Sequence, residues 1–195
     1  MAEGEGGTGE VARSYDPANV EIGLARWGEI GTIYRLYRAQ GPDSRLLYHP
    51  FPFNALRLGS LLVGIRIVQS VAASWVRRAP GLIAVLVVAR PRSGGPMMGF
   101  GTVTFRRAAD RAIVARTGLY VTVPFRRHGL GKGLKQYMLA LARSYGVRRA
   151  EALIHATNTA SIELYRSVGY RIGSSTIRDR RPPYATFLLA ETDLT

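Results

Sequence analysis

The 195-residue sequence has no cysteine and only two lysines, against 25 arginines and 13 acidic residues. Without cysteine the chain has no disulfide framework, no thiolate nucleophile and no cysteine-based zinc site, and we predict no metal site. No run of about 18 uncharged apolar residues is present, which argues against a membrane-spanning helix. The first ten residues carry three glutamates and no apolar core, so no secretory signal peptide is predicted. We therefore expect a soluble, cytoplasmic protein without a membrane partner.

Positive charge is the strongest compositional feature, with a formal net charge of +14. Such a field attracts polyanions, including nucleic acid, acidic proteins and phosphorylated cofactors. The arginines are scattered or paired rather than gathered in a long run, and a general preference for arginine explains them equally well. Motifs of helix-turn-helix proteins, zinc fingers and ribonucleoprotein sheets are not apparent. Nucleic-acid binding is therefore an alternative that only the charge supports.

Hydrophobic periodicity predicts one α/β domain over residues 18–195, after a disordered Gly- and Glu-rich tail at residues 1–17. The predicted order is β-α-α-β-β-β-α-β-α-β-β, a twisted mixed sheet of about six to seven strands flanked by about four helices. The predicted strands lie at 20–24, 82–89, 97–106, 112–123, 150–155, from 169 onward and at 184–189. The predicted helices lie at 27–39, 55–75, from 129 to a C-cap at Gly146, and at 158–168.

A glycine-rich loop between a strand and an amphipathic helix is the most informative local feature. Residues 126–131 are Arg-Arg-His-Gly-Leu-Gly. Unpaired N–H groups at a helix N-terminus can bind a pyrophosphate, and glycines let the backbone approach it closely. Arg126, Arg127, His128 and Lys132 add positive potential. The spacing fits neither a Walker loop nor a Rossmann fingerprint.

The loop matches the pattern Arg/Gln-x-x-Gly-x-Gly/Ala. Residues 158–170, Asn-Thr-Ala-Ser-Ile-Glu-Leu-Tyr-Arg-Ser-Val-Gly-Tyr, match Asn-x-x-x-Ile-x-Leu-Tyr-x-x-x-Gly-Phe/Tyr. Together these motifs resemble those of the GNAT superfamily of N-acetyltransferases. The resemblance is sharp over residues 118–170, loose over 41–80, and does not include 1–17. It implies a GNAT-like fold and direct transfer of an acetyl group from acetyl-CoA to a primary amine in a ternary complex.

The resemblance also implies roles for individual residues. Two neighbouring parallel strands, ending at Val123 and His155, would separate and admit the pantetheine arm. Tyr165 would protonate the leaving CoA thiolate, and a backbone N–H beside Val121 would stabilise the oxyanion. The implied cofactor-binding residues are Leu119, Tyr120, Val121, Arg126, Arg127, His128, Gly129, Leu130, Gly131, Lys132, Asn158 and Tyr165.

Several of these residues have a structural alternative. Asn158 is also a good helix N-cap, and Tyr165 shares an apolar helix face with its neighbours. The general base is open, because Glu151 lies at the far start of its strand. His155, a water relay or a backbone carbonyl would have to serve instead. The family's Val-x-Pro pattern is displaced by one residue at 121–124, which leaves the strand end open.

The acceptor site is the least determined part of the prediction. Candidate segments are the aromatic loop at residues 48–53, which would wall an acceptor pocket or fill the core, and the basic segment 178–184. A positive rim favours an acidic acceptor, such as an acidic peptide or protein N-terminus, over polyamines. We expect a monomer or homodimer. The runner-up function is a non-catalytic acyl-CoA-binding or regulatory module, which the missing carboxylate base favours.

Overall fold

A computed structural model describes residues 17–39, 76–78, 80–82, 84–178 and 186–194. Seven strands form one sheet in the order β1-β2-β3-β4-β5-β7-β6. The strands are β1 (Val20–Leu24), β2 (Ala84–Pro91), β3 (Gly99–Arg107), β4 (Ile113–Val121), β5 (Arg149–His155), β6 (Arg171–Arg178) and β7 (Thr186–Asp193). The longer helices in these ranges are α1 (Ile30–Ala39), α2 (Leu130–Ser144) and α3 (Thr159–Ser167).

The sheet is mixed, as the sequence predicts. Neighbouring strands are antiparallel except for β4 and β5, which are parallel and are connected by α2. Strands β2 and β3 form the predicted hairpin, and Gly94 and Gly95 adopt positive φ angles of 82° and 127° in its turn. Only glycine adopts such angles without strain, which explains the two glycines at this position.

Helices cover both faces of the sheet. Along β2, Val85 and Val87 belong to the core beneath α2 and α3, whereas Leu86 and Val88 pack with Ile33 of α1. This alternation follows from the two-residue period of a strand and explains why β2 is a nearly continuous apolar run.

Helix α2 lies close to the sheet because β3 has glycines beneath it. A Cβ atom on Gly101 would lie 2.6 Å from Sδ of Met138, and one on Gly99 would lie 3.2 Å from Cδ1 of Leu134. The helix ends at Ser144 with Tyr145 as its C-cap, and the predicted Gly146 follows with φ 76°. The Gly146 and Val147 N–H groups donate to the carbonyls of Arg143 and Ala142, the pattern of a Schellman motif.

Two details differ from the sequence prediction. Strand β4 ends at Val121 rather than Val123, because a 3-10 turn at Val123–Phe125 includes Pro124, which has no N–H for a sheet ladder. The apolar face of α2 is also rotated. Tyr137, Leu141 and Tyr145 are only partly buried, whereas Leu130, Lys135, Leu139 and Ala142 join Leu134 and Met138 in the core.

Some predictions fall outside the described residues. They are the tail up to residue 16, the aromatic loop at 48–53, the helix at 55–75, and residues 179–184 of the basic segment. Within the described ranges, no helix has the length and apolarity needed to cross a membrane.

Candidate active site

A gap opens between β4 and β5. The two strands pair only from Val114–Arg149 to Arg116–Glu151, although β4 continues to Val121 and β5 to His155. Beyond the last pair, β4 stays bonded to β3, and β5 stays bonded to β7. The two halves of the sheet therefore diverge toward the carboxyl ends of these strands, as the resemblance implies.

Alternate residues of β4 present their backbone groups to this gap. Thr122 N–H donates to the Met98 carbonyl on the β3 side. By strand alternation, Tyr120 also faces β3, whereas Thr117, Leu119 and Val121 face the gap. Two contacts agree with this alternation, because the Thr117 and Val121 carbonyls accept hydrogen bonds from side chains on the gap side.

The loop before α2 leaves a row of backbone donors open. Gly129 and Arg127 have positive φ angles of 85° and 63°, and the helix begins immediately after Gly129. Lys132 and Gly133 N–H both donate to the Gly129 carbonyl, at 3.0 and 3.2 Å. The N–H groups of residues 127–131 donate no hydrogen bond to any part of the chain that the structure describes. Five adjacent donors at a helix N-terminus form a binding site for an anion.

The basic side chains of the loop have different surroundings. Arg126 is tied to the strand end, because its Nε donates to the Val121 carbonyl at 2.9 Å and its guanidinium lies over the Tyr120 ring. Arg127 and Lys132 are exposed, and His128 is half-buried. Gly131 lets α2 approach α3, since a Cβ there would lie 3.3 Å from Cδ2 of Leu164.

Tyr165 lies at the closed end of the gap within a buried polar cluster. Its side chain is 5% exposed, and its hydroxyl donates to the Thr117 carbonyl at 3.0 Å. Lys135 Nζ donates to Tyr165 Oη at 2.7 Å and to Thr117 Oγ1 at 2.9 Å. Tyr170 Oη lies 3.0 Å from the same Thr117 Oγ1. We call these four residues the lysine–tyrosine cluster.

Lys135 is a residue of this cluster that the sequence motifs do not predict. It is fully buried, and desolvation lowers its pKa well below the ordinary lysine value. None of the ion pairs in the described residues includes it. Its position, one residue after Leu134 and three before Met138, places a charged side chain within an apolar helix stripe. That spacing was the available signal.

Asn158 and His155 lie at the carboxyl end of β5. Asn158 caps α3, because its Oδ1 accepts the Ser161 N–H at 3.1 Å. Its amide Nδ2 makes no hydrogen bond in the described part of the chain. His155 Nδ1 lies 2.9 Å from Thr157 Oγ1, and its ring packs edge-on against Phe187.

Glu151 is engaged in a structural ion pair. It is 2% exposed, and Arg106 Nη2 donates to both of its carboxylate oxygens at 2.6 Å. Arg116 Nη2 lies 3.5 Å from Oε2. These contacts link β3, β4 and β5 at the last residue pair of β4 and β5 before the gap. In the described residues, no group of three or more His, Asp or Glu side chains could hold a metal ion.

The separated strands and the open helix N-terminus can be compared with those of known protein families. The model of the acetyltransferase (GNAT) family matches residues 70–170, just over half of the chain. The chain belongs to the acetyltransferase (GNAT) family. The matched range contains β2 to β5, the loop before α2, and α3.

Solved structures of GNAT acetyltransferases share the fold. A phosphinothricin acetyltransferase from Sinorhizobium meliloti, in complex with acetyl-CoA, is 16% identical, with 90% of this chain and 88% of that chain covered and a TM-score of 0.64. A ribosomal-protein-alanine N-acetyltransferase from Brucella melitensis is 18% identical over 89% and 99% of the two chains, with a TM-score of 0.66. An N-acetyltransferase from Staphylococcus aureus is 20% identical over 91% and 99%, with a TM-score of 0.67. No curated protein sequence matches the chain.

Proposed function

We propose that the protein transfers an acetyl group from acetyl-CoA directly to a primary amine. The observation that carries this proposal is the gap between β4 and β5, which opens beside five backbone N–H groups at the start of α2 that donate to none of the described residues. A solved GNAT acetyltransferase of similar fold contains acetyl-CoA, which supports the choice of acyl donor.

The residues present suit the two chemically different parts of acetyl-CoA. The open N–H groups of residues 127–131, with the exposed side chains of Arg127 and Lys132, would hold the pyrophosphate. The gap-facing backbone of Leu119 and Val121 would pair with the pantetheine amides, as a strand pairs with its neighbour. Asn158 would add a hydrogen bond from its amide Nδ2, while its Oδ1 caps α3.

The reaction needs a free amine, a stabilised oxyanion and an acid for the departing sulfur. Acetyl-CoA supplies the thioester carbonyl that the amine attacks. The Val121 N–H faces the gap and would stabilise the developing oxyanion. Tyr165 Oη would protonate the thiolate, and His155 or a water relay would accept the proton from the amine. Glu151 has no part in this scheme, because Arg106 and Arg116 hold its carboxylate.

For the acceptor, we propose an acidic peptide or protein N-terminus, on the strength of the net charge of +14. The fold leaves the acceptor open, since its relatives are named for acceptors as different as phosphinothricin and a ribosomal-protein alanine. Acetylation assays should rank acidic peptides above basic peptides and spermidine. The reverse order would exclude this acceptor class while leaving acetyl transfer intact.

Calorimetric titration with acetyl-CoA tests the cofactor assignment. Lys132→Glu places a negative charge beside the expected pyrophosphate and should weaken binding about 10- to 100-fold, because a hydrogen bond to a charged group contributes about 1.5–3 kcal/mol. Arg148→Glu is the matched control, since it changes the net charge equally at an exposed site before β5. Absence of binding by the wild type would refute the proposal, and equal losses in both variants would refute the pyrophosphate site.

Turnover separates an enzyme from the runner-up, a non-catalytic acyl-CoA-binding module. The wild type should release CoA in the presence of a suitable amine, as measured with a thiol reagent. The absence of cysteine is an experimental advantage, because the protein contributes no thiol background. Tight acetyl-CoA binding without turnover on acidic, neutral or basic amines would favour the non-catalytic module.

A further inference from the structure

The buried Lys135 is unusual in a chain that has 25 arginines and only two lysines. Lys132 is exposed, whereas Lys135 lies in the core face of α2. Replacing buried charged groups by well-packed apolar residues is often neutral or stabilising, so packing alone does not call for a lysine here. An arginine stays charged in proteins, whereas a buried lysine can release its proton. A lysine at this position can therefore exchange a proton with the groups that it contacts, whereas an arginine cannot.

Lys135 and β4 hold the phenol of Tyr165 between them. Lys135 Nζ donates to Tyr165 Oη at 2.7 Å and lies 4.0 Å from the centre of the same ring. Tyr165 Oη in turn donates to the Thr117 carbonyl at 3.0 Å. Thr117 directly follows the last paired residue of β4, so the phenol is fixed where the gap begins.

Among the described residues, the polar groups that contact Lys135 belong to three side chains. From β4 it faces Thr117, from α3 Tyr165, and from the segment after α3 Tyr170, whose ring centre is 5.9 Å from Nζ. Burial raises the pKa of Tyr170, so this phenol holds its proton firmly. The Glu151 carboxylate on β5 is already paired with two arginines. Lys135 is therefore the basic group best placed to exchange a proton with Tyr165.

Building on acetyl transfer as the protein's function, we propose that Lys135 is a positioning residue that holds the Tyr165 phenol and returns a proton to it after thiolate protonation. When the carbon–sulfur bond breaks, its electron pair stays on sulfur, and the phenol proton moves to sulfur. An ammonium proton of Lys135 then moves to the phenolate and leaves a neutral amine. Solvent reprotonates this amine, and the acetylated acceptor releases one proton to solvent, so protons balance over one turnover.

Burial of Lys135 suits this role. A thiol has an ordinary pKa of about 8.5 and a lysine ammonium about 10.4, so an exposed lysine would hold its proton more tightly than the thiol does. Desolvation favours the neutral amine and lowers the pKa of Lys135. Proton movement from Lys135 through Tyr165 to sulfur is thereby made more favourable.

Kinetics of Lys135→Met test the role. This variant replaces the amine with an apolar side chain that is one atom shorter, and it should lower kcat about 10- to 100-fold with an unchanged KM for acetyl-CoA. The loss should disappear in a Tyr165→Phe background and persist in a Tyr170→Phe background, the matched control that removes a neighbouring buried hydroxyl. Wild-type kcat should fall at high pH as Lys135 loses its proton, and Lys135→Met should lack that fall. An equal loss of kcat in the Tyr165→Phe background would overturn the proposal.

A second readout does not depend on turnover. With only two lysines in the chain, selective ¹³C labelling of lysine gives two side-chain ε-carbon signals, and Lys132→Arg identifies the one from Lys135. Its titration midpoint should lie below that of an ordinary lysine and should shift more in Tyr165→Phe than in Tyr170→Phe. An unchanged midpoint in Tyr165→Phe would overturn the proposal even in an active enzyme. A wild type that shifts as expected but acetylates no amine would instead refute the proposed function, and the proton-return step with it.

Discussion

At the scale of single residues, the lysine–tyrosine cluster carries an energetic cost. Removing an ammonium group from water costs several kcal/mol even after relaxation. Lys135 recovers part of this cost through two hydrogen bonds and through the face of the Tyr165 ring. No carboxylate pairs with it in the described residues, so the remainder of the cost should appear as lost stability.

Lys135→Met should therefore stabilise the protein by about 1–2 kcal/mol near pH 6, because the new side chain is apolar and similar in length. The folded-state pKa of Lys135 is lowered, so between that value and the ordinary value of about 10.4 the unfolded chain binds more protons than the folded one. Wild-type stability should accordingly rise with pH through this window, and the advantage of Lys135→Met should shrink. Urea unfolding of both proteins at several pH values measures the difference in their free energies of unfolding. A difference that does not change with pH would contradict the lowered pKa of Lys135 in the folded protein.

Asn158 caps α3 and would also bind the cofactor, and two substitutions can separate these roles. Asn158→Ser keeps an oxygen that can cap α3 but removes the amide donor, whereas Asn158→Ala removes both. The alanine variant should lose about 1 kcal/mol of unfolding free energy and the serine variant much less. If the amide also binds the pantetheine arm, both variants should lose acetyl-CoA affinity in calorimetry. Wild-type affinity in Asn158→Ser would leave Asn158 as a cap alone.

At the scale of helices and strands, the elements themselves were predictable and their ends less so. Alternation and apolar runs located the described strands, because period two marks faces of a sheet. The residue pattern predicts the end of β4 two residues late, since Thr122 and Val123 have strand-like side chains. The spacing of apolar residues also predicts a buried face of α2 that is rotated toward its tyrosines. Gly99 and Gly101 of β3 leave room for Leu134 and Met138, and these glycines become informative only when the facing helix is in place.

In the site, too, some features were predictable from the sequence and others were not. Local pattern identified the loop before α2 and the Asn158 cap, because both depend on neighbours in the sequence. The separation of β4 and β5 came from the family resemblance alone, since pairing between strands 35 residues apart leaves no local mark. The contact between Lys135 and Tyr165 joins two helices across 30 residues, and only the fold reveals it.

Glu151 provides a test at this scale, because its carboxylate joins three strands. Glu151→Gln should destabilise the fold by about 3 kcal/mol, since it leaves Arg106 and Arg116 without their buried partner. The kcat of acetyl transfer should be unchanged below the unfolding temperature, because the Glu151 carboxylate is held by the two arginines and not by a reacting group. Glu163→Gln on the exposed face of α3 is the control and should change neither quantity. A large fall in kcat of folded Glu151→Gln would identify Glu151 as part of the reaction.

At the scale of the whole molecule, some of the basic side chains are paired with carboxylates and others are not. Several arginines are neutralised by carboxylates in the described residues, namely Arg26, Arg90, Arg106, Arg116, Arg149 and Arg171. Arg127 and Lys132, beside the open helix N-terminus, form no such pair. The unpaired positive charges of Arg127 and Lys132 therefore lie next to the backbone N–H groups that would bind phosphate groups.

This distribution predicts how acetyl-CoA affinity depends on salt. Charges separated by more than about 10 Å are largely screened at 0.1 M salt, so distant arginines should stop contributing there while the loop still does. Arg148→Glu should weaken binding at 0.02 M salt and approach the wild type near 0.2 M, whereas Lys132→Glu should remain weaker throughout. Calorimetry at the two salt concentrations, which differ about tenfold, makes the comparison. Convergence of both variants on the wild type would mean that the general field, rather than the loop, attracts the cofactor, and would renew the case for nucleic acid as a partner.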